Sequence, residues 1–109
     1  MNFLQYQTRS RETAIYPDRG SNYVYHTLGL AGEAGEVAEK IKKVIRDKNG
    51  IMDQETKEKI SKELGDVLWY VAQLATELDL SLDDIATGNI TKLQSRKERG
   101  SLSGSGDMR

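Results

Sequence analysis

The chain has no cysteine, and only one histidine, one proline, one tryptophan and one phenylalanine among 109 residues. Without cysteine there is no disulfide framework and no thiolate metal site, and a single histidine argues against a dedicated zinc centre. No stretch approaches the length of a membrane span. The start, Met1-Asn2-Phe3-Leu4-Gln5-Tyr6, lacks the basic residues and continuous apolar run of a secretory signal. A soluble, cytoplasmic protein is expected. An excess of one charge is also missing: 16 basic and 17 acidic side chains leave a net charge of -1, so the global field favours neither nucleic acid nor an anionic membrane. Hydrophobic content, at 37%, is modest for a chain of this length that must build its own core. Self-association as a homodimer or homotetramer is therefore expected.

What the sequence does contain is a helical period. The fold class is all-α, a helical bundle of about four helices. A weak first helix is expected over residues 2–15, with Phe3, Tyr6 and Ala14 as its apolar contacts, broken by Pro17-Asp18-Arg19-Gly20. A long second helix runs from Asn22 to Asp47 and stops at Lys48-Asn49-Gly50, where Asn and Gly suit a left-handed turn. The third starts after Asp53, an N-cap, and runs to Asp79. Ser81 with Asp84 opens a fourth that extends to Lys97. Residues 1–99 thus form one domain. The run Gly100-Ser101-Leu102-Ser103-Gly104-Ser105-Gly106 buries too little apolar surface to offset ordering, so residues 100–109 read as a flexible tail.

At about 100° per residue, each long helix carries an apolar stripe with a polar edge. Leu30, Ala34, Val37, Ala38, Ile41, Val44 and Ile45 form the stripe of the second helix, edged by Glu33, Glu36 and Lys40. Ile60, Leu64, Val67, Leu68, Val71, Leu74, Ala75 and Leu78 form that of the third, edged by Glu63, Asp66 and Tyr70. In the fourth, Leu82, Ala86, Ile90 and Leu93 are flanked by Asn89, Lys92 and Arg96. If the stripes pack together, the three edges converge on one groove.

Acids three residues apart are common in so charged a chain, and Glu36 with Glu39 or Glu55 with Glu58 read as solvated faces. Glu33-x-x-Glu36 and Glu63-x-x-Asp66 differ because their neighbours are small and apolar. Gly35 and Gly65 also stand mid-helix, where glycine costs about 1 kcal/mol relative to alanine, which suggests a close approach of a helix or a ligand. Two like charges about 5 Å apart, at an effective dielectric of about 20, repel by roughly 3 kcal/mol. Four such carboxylates need cations or raised pKa values. Oxygen donors alone select hard cations, Mg²⁺ first and Mn²⁺ second. On spacing alone, a metal site and ordinary surface acids both remain open.

At these residues the sequence resembles the MazG-like family of all-α nucleoside triphosphate pyrophosphohydrolases. The family pattern Glu-Glu-x-x-Glu, a spacer, then Glu-x-x-Asp is matched by Gly32-Glu33-Ala34-Gly35-Glu36 and Glu63-Leu64-Gly65-Asp66. The phrase Leu64-Gly65-Asp66-Val67-Leu68-Trp69-Tyr70 and the late Asn89-x-x-Lys92-x-x-x-Arg96 extend the likeness across residues 22–97. Gly32 departs from the pattern at its first acid, which bears on how many metals bind. The resemblance implies conversion of a (deoxy)nucleoside triphosphate to the monophosphate and pyrophosphate, clearing noncanonical or surplus nucleotides. It implies Glu33, Glu36, Glu63 and Asp66 as metal ligands, with Glu33 also the choice for general base. Lys92 and Arg96 would neutralise the departing pyrophosphate, joined by Lys40, with Tyr70 and Asn89 as neutral hydrogen-bond partners. Phosphoribosyl-ATP pyrophosphohydrolysis, or a noncatalytic helical module binding nucleotide or protein, are the rival readings. Trp69 marks a subunit interface or a base-stacking face, and Tyr23, Tyr25 and His26 line a base pocket or pack the helix entry on the first helix.

Overall fold

In a computed structural model describing residues 1–109, every regular element is helical: α1 (Phe3–Ser10), a 3-10 turn (Arg11–Thr13), α2 (Tyr23–Asp47), α3 (Gln54–Glu77) and α4 (Leu82–Glu98). Each long helix starts where a short polar side chain can take up an orphan N–H. Asn22 accepts from Tyr25, Asp53 from Thr56 and Ser81 from Asp84. Asn2 and Gln5 form a reciprocal capping box on α1. The end of α2 follows from Asn49 and Gly50, whose positive φ values of 52° and 75° return the Gly50 N–H to the Val44 carbonyl. The first helix is shorter than expected. Ser10 Oγ bonds to the Gln7 carbonyl and Thr13 Oγ1 to the Ser10 carbonyl, and hydroxyls that engage the main chain in this way compete with helix continuation.

The architecture is built on the α2/α3 hairpin, closed by residues 48–53. α1 lies across α3 and α4, and α4 takes its main packing from α1 rather than from the hairpin. Gln7 is the fastener: its amide donates to Thr76 Oγ1 and the Leu80 carbonyl and its oxygen accepts the Leu82 N–H. That bond directs α4 away from α2 as soon as it starts. The three apolar stripes therefore do not close on one another within a single chain. Only Ala14, Val44, Ala72, Ala75 and Leu82 are buried hydrophobic residues, while Ile45 (69%), Leu64 (54%) and Ile90 (59%) stand open. The radius of gyration is 16.8 Å, against about 13 Å for a compact chain of roughly 100 residues. The accessible surface is 7781 Å², where a monomer of this mass presents roughly 6,100 Å². Residues 100–109 turn back along α4, where Asp107 meets Lys92 and Arg96.

Candidate active site

Glu33 is carried by α2, and Glu63 and Asp66 by the facing stretch of α3. One carboxylate oxygen from each lies within 4.8 Å of the others. Two antiparallel helices place them there because Glu63 and Asp66 are three residues apart and so share a face that meets Glu33 across the hairpin. Glu36, one turn further along α2, is exposed and lies outside this cluster. Burial raises the pKa of Glu33, and hydrogen bonding to Glu63 with the charges of Asp66, Glu63 and Glu36 raises it further. Glu63 moves the other way, held down first by Lys40 and then by Glu33.

Lys40 Nζ is 3.0 Å from Glu63 Oε1. An ammonium already sits against the acids, the position of a stand-in cation. Beyond it, toward the hairpin's closed loop, Lys40, Lys43, Lys48, Lys59, Val44 and Thr56 line a cleft of about 110 Å³. Three hard oxygen donors within 4.8 Å, offset by one ammonium, fit a divalent cation such as Mg²⁺ or Mn²⁺. The donor set offers nothing to a thiophilic metal.

Toward the other end of the hairpin the side chains become aromatic. Tyr70 follows Asp66 by one turn, and its phenol is pushed up by burial, then by Tyr25, Glu33 and Asp66. Its ring stands 5.1 Å from Trp69 and 5.9 Å from His26, centroid to centroid. His26 is wholly buried between Tyr16, Tyr25, Trp69 and Tyr70, with no hydrogen-bond partner for either ring nitrogen. Trp69 faces inward to this cluster and donates from Nε1 to Thr13 Oγ1 at 2.9 Å, so its partner is the chain's own N-terminal segment. Tyr25 does stack on Tyr16, which joins the entry of α2 to the N-terminal segment.

The structure does not bring α4's polar residues to the acids within one chain. Lys92 Nζ contacts Asp107 Oδ1 at 3.2 Å, Arg96 is buried and donates to the Asp107 carbonyl at 2.8 Å, and Asn89 is exposed. Within one chain nothing closes on the glycines of the acidic motifs. A methyl group at Gly32, Gly35 or Gly65 would meet no other part of the chain within 4 Å. The close approach is at Gly29 instead, against Tyr70. No charged motif surrounds Gly29, and its signal in the sequence is its place one turn before Glu33. Tyr6, expected as an apolar contact, is a second residue near the acids that the motifs do not mark. The Tyr6 phenol is raised by burial and then by the charge of Asp66, which sets α1 beside the site.

Comparison with known proteins finds the family that the sequence pattern resembles. The MazG nucleotide pyrophosphohydrolase domain family matches residues 25–101. The chain belongs to the MazG family. A similar relative is the "Gene 37 protein" of Mycobacterium phage L5, 51% identical over an aligned length of 109, with 95% of this chain and 96% of the phage protein covered. No solved structure matches this MazG-family chain. Both acidic pairs, the lysine cleft and Tyr70 fall inside the matched span, whereas α1 and the 3-10 turn precede it. None of its helices is long and apolar enough to cross a membrane.

Proposed function

We propose that this MazG-family protein is a divalent-metal-dependent pyrophosphohydrolase that converts a (deoxy)nucleoside triphosphate to the monophosphate and pyrophosphate, removing noncanonical or surplus nucleotides. The observation that carries the reading is the meeting of Glu33, Glu63 and Asp66 oxygens from two helices. Four carboxylates including Glu36 would hold the cations. When bound, these supply the positive charge that lets a triphosphate enter an acidic groove and stabilise charge on its oxygens. The hairpin gives the groove a direction. Its aromatic end suits the nucleoside and its lysine cleft suits the β and γ phosphates, with the acids between.

In the reaction, a water oxygen bonds to the α phosphorus, the bond from that phosphorus to the α–β bridging oxygen breaks, and the water's proton passes to a carboxylate. Glu33 is assigned that proton, because it is the carboxylate that α2 brings to Glu63 and Asp66. Lys40, whose ammonium lies beside Glu63 at the mouth of the lysine cleft, would meet the departing pyrophosphate. Tyr70 bonds to the nucleoside side. Asn89, Lys92 and Arg96 reach a groove only in an assembly, where a neighbouring copy covers the open stripes. The exposed Ile45, Leu64 and Ile90 and the open backbone at Gly35 and Gly65 support such a homodimer or homotetramer.

The deciding experiment is a panel of nucleoside triphosphates with Mg²⁺ and with Mn²⁺, scored for pyrophosphate against orthophosphate, beside Asp66→Asn and Glu36→Gln. Release of pyrophosphate that chelation stops and Asp66→Asn abolishes is expected, with Glu36→Gln less severe. Wild-type rates in both variants, or no pyrophosphate from any substrate with either metal, would refute the reading.

A further inference from the structure

Tyr70 occupies space that only a glycine on the facing helix leaves free. A Cβ placed on Gly29 would lie 2.5 Å from Tyr70 Cζ and 2.6 Å from Cδ1, and nearer still to Cε1. Three ring atoms therefore rest on the bare backbone of α2. The residue spacing makes this one rung of a ladder. Gly29 precedes Glu33 by one helical turn, and Tyr70 follows Asp66 by one turn on the antiparallel helix. The rung below carries Glu33, Glu63 and Asp66, and the rung above carries Tyr25 and His26. One turn of helix is about 5.4 Å, which is the order of the distance from an α phosphate to the sugar that bears it.

We infer that Gly29 is a positioning residue for the nucleoside end of the substrate, acting through Tyr70: the absence of a side chain at position 29 sets how deep the tyrosine ring sits and hence where the sugar stops. This rests on the pyrophosphohydrolase reading for its substrate. It adds a determinant that carries no functional group and touches no phosphate. A methyl group at position 29 would drive the ring out into the groove, beside the acids but without altering them.

The test compares Gly29→Ala in two backgrounds, wild type and Tyr70→Ala, using KM for a nucleoside triphosphate and the inhibition constant of inorganic tripolyphosphate, which has no nucleoside. In the wild-type background KM rises by about tenfold or more while the tripolyphosphate constant stays within about twofold, and the melting temperature falls. In the Tyr70→Ala background the same change leaves KM unaltered and raises the melting temperature, because alanine is the better helix former once the ring is gone. An equal KM increase in both backgrounds, or a matching loss of tripolyphosphate affinity, overturns the inference. If the wild type released no pyrophosphate, the function would fall separately. The same double comparison would then be made by calorimetry with an α,β-imido nucleoside triphosphate and Mg²⁺, where absence of coupling between positions 29 and 70 again overturns the seat, as does absence of nucleotide binding.

Discussion

The two ends of the α2/α3 hairpin hold acidic side chains in opposite ways. At the aromatic end, Glu77 has 1% of its side chain exposed and its Oε1 accepts from the Tyr16 hydroxyl and the Gly20 N–H. Arg11 bonds in turn to Tyr16 and Gln73, and Gln73 donates to Ser10 Oγ at 2.7 Å. Burial alone would push Glu77 upward, but the bonds from Tyr16 and Gly20 and the charge of Arg11 outweigh it and lower its pKa. At the acidic end no such shell exists. Glu33 faces Glu63 and Asp66, one lysine offsets them, and its pKa rises. A carboxylate supplied with donors supports the fold. One left facing other carboxylates keeps capacity for a ligand at a cost in stability.

The sharpest way to break this contrast is the same isosteric change at each end. Under the proposed roles of base and metal ligand, Glu33→Gln should lower turnover by about 10³-fold or more, while the melting temperature holds or rises because repulsion is relieved. Pyrophosphate release and calorimetric melting measure the two sides. A destabilised Glu33→Gln variant would mean that the acidic end is structural after all.

Glu77→Gln should do the reverse. It weakens charge-assisted bonds in a buried network, and about 2 kcal/mol of destabilisation is the expected order. In a chain of this size that lowers the melting temperature by roughly 10 °C. Turnover per folded molecule should remain near wild type, since Glu77 belongs to the rung of Tyr16 and Gln73 rather than that of the carboxylates. A loss of turnover without a loss of stability would dissolve the distinction between the ends.

The helices were legible in the sequence because their boundaries depend on local chemistry. Asn22, Asp53 and Ser81 each bond to an N–H three residues ahead, and Asn49-Gly50 makes the reversal that its composition favours. Glu33, Glu63 and Asp66 were legible for a related reason, since spacing along a helix fixes its faces and a short connection brings the faces of neighbours together. Glu36 shared their spacing yet stands outside the cluster, one turn beyond the convergence. The course of α4 was not legible. It depends on Gln7, whose bond to the Leu82 N–H spans 75 positions, and no periodicity within α4 encodes that contact. Lys92 and Arg96 consequently sit on the expected face of a helix that runs elsewhere.

A smaller effect concerns acid sensitivity. His26 has a pKa lowered from 6.5 by burial, opposed by Glu77 and reinforced by Arg11, among the Tyr16, Tyr25 and Tyr70 phenols. The unfolded chain takes up the His26 proton first, so stability is complete above pH 6.5 and declines as pH falls from 6.5 toward the folded pKa. Glu77 adds a loss of the same sign at lower pH. Its stabilisation is present above the unfolded value of 4.5 and disappears as pH falls through its lowered folded pKa. Denaturant unfolding across this range should show both steps. His26→Phe should remove the upper one and leave the lower, and an unchanged upper step would assign it to another group.

The smallest effect separates the tail from both ends of the hairpin. Asp107 Oδ1 meets Lys92 at 3.2 Å and Arg96 at 3.3 Å, and hydrogen bonds from Lys92 and then Arg96 lower its pKa. The carboxylate is 83% exposed, however, where water and salt screen an ion pair and ordering two long side chains offsets much of the gain. The buried Arg96 guanidinium makes its shorter bond, at 2.8 Å, to the main-chain carbonyl of residue 107, which a side-chain substitution leaves intact. Asp107→Asn should therefore leave the melting temperature unchanged within error at both low and high salt, although the ion pair looks well formed. A clear drop at low salt that disappears at high salt would show that the tail contributes to the fold through its charge. In that case α4 would owe part of its placement to residue 107 as well as to Gln7.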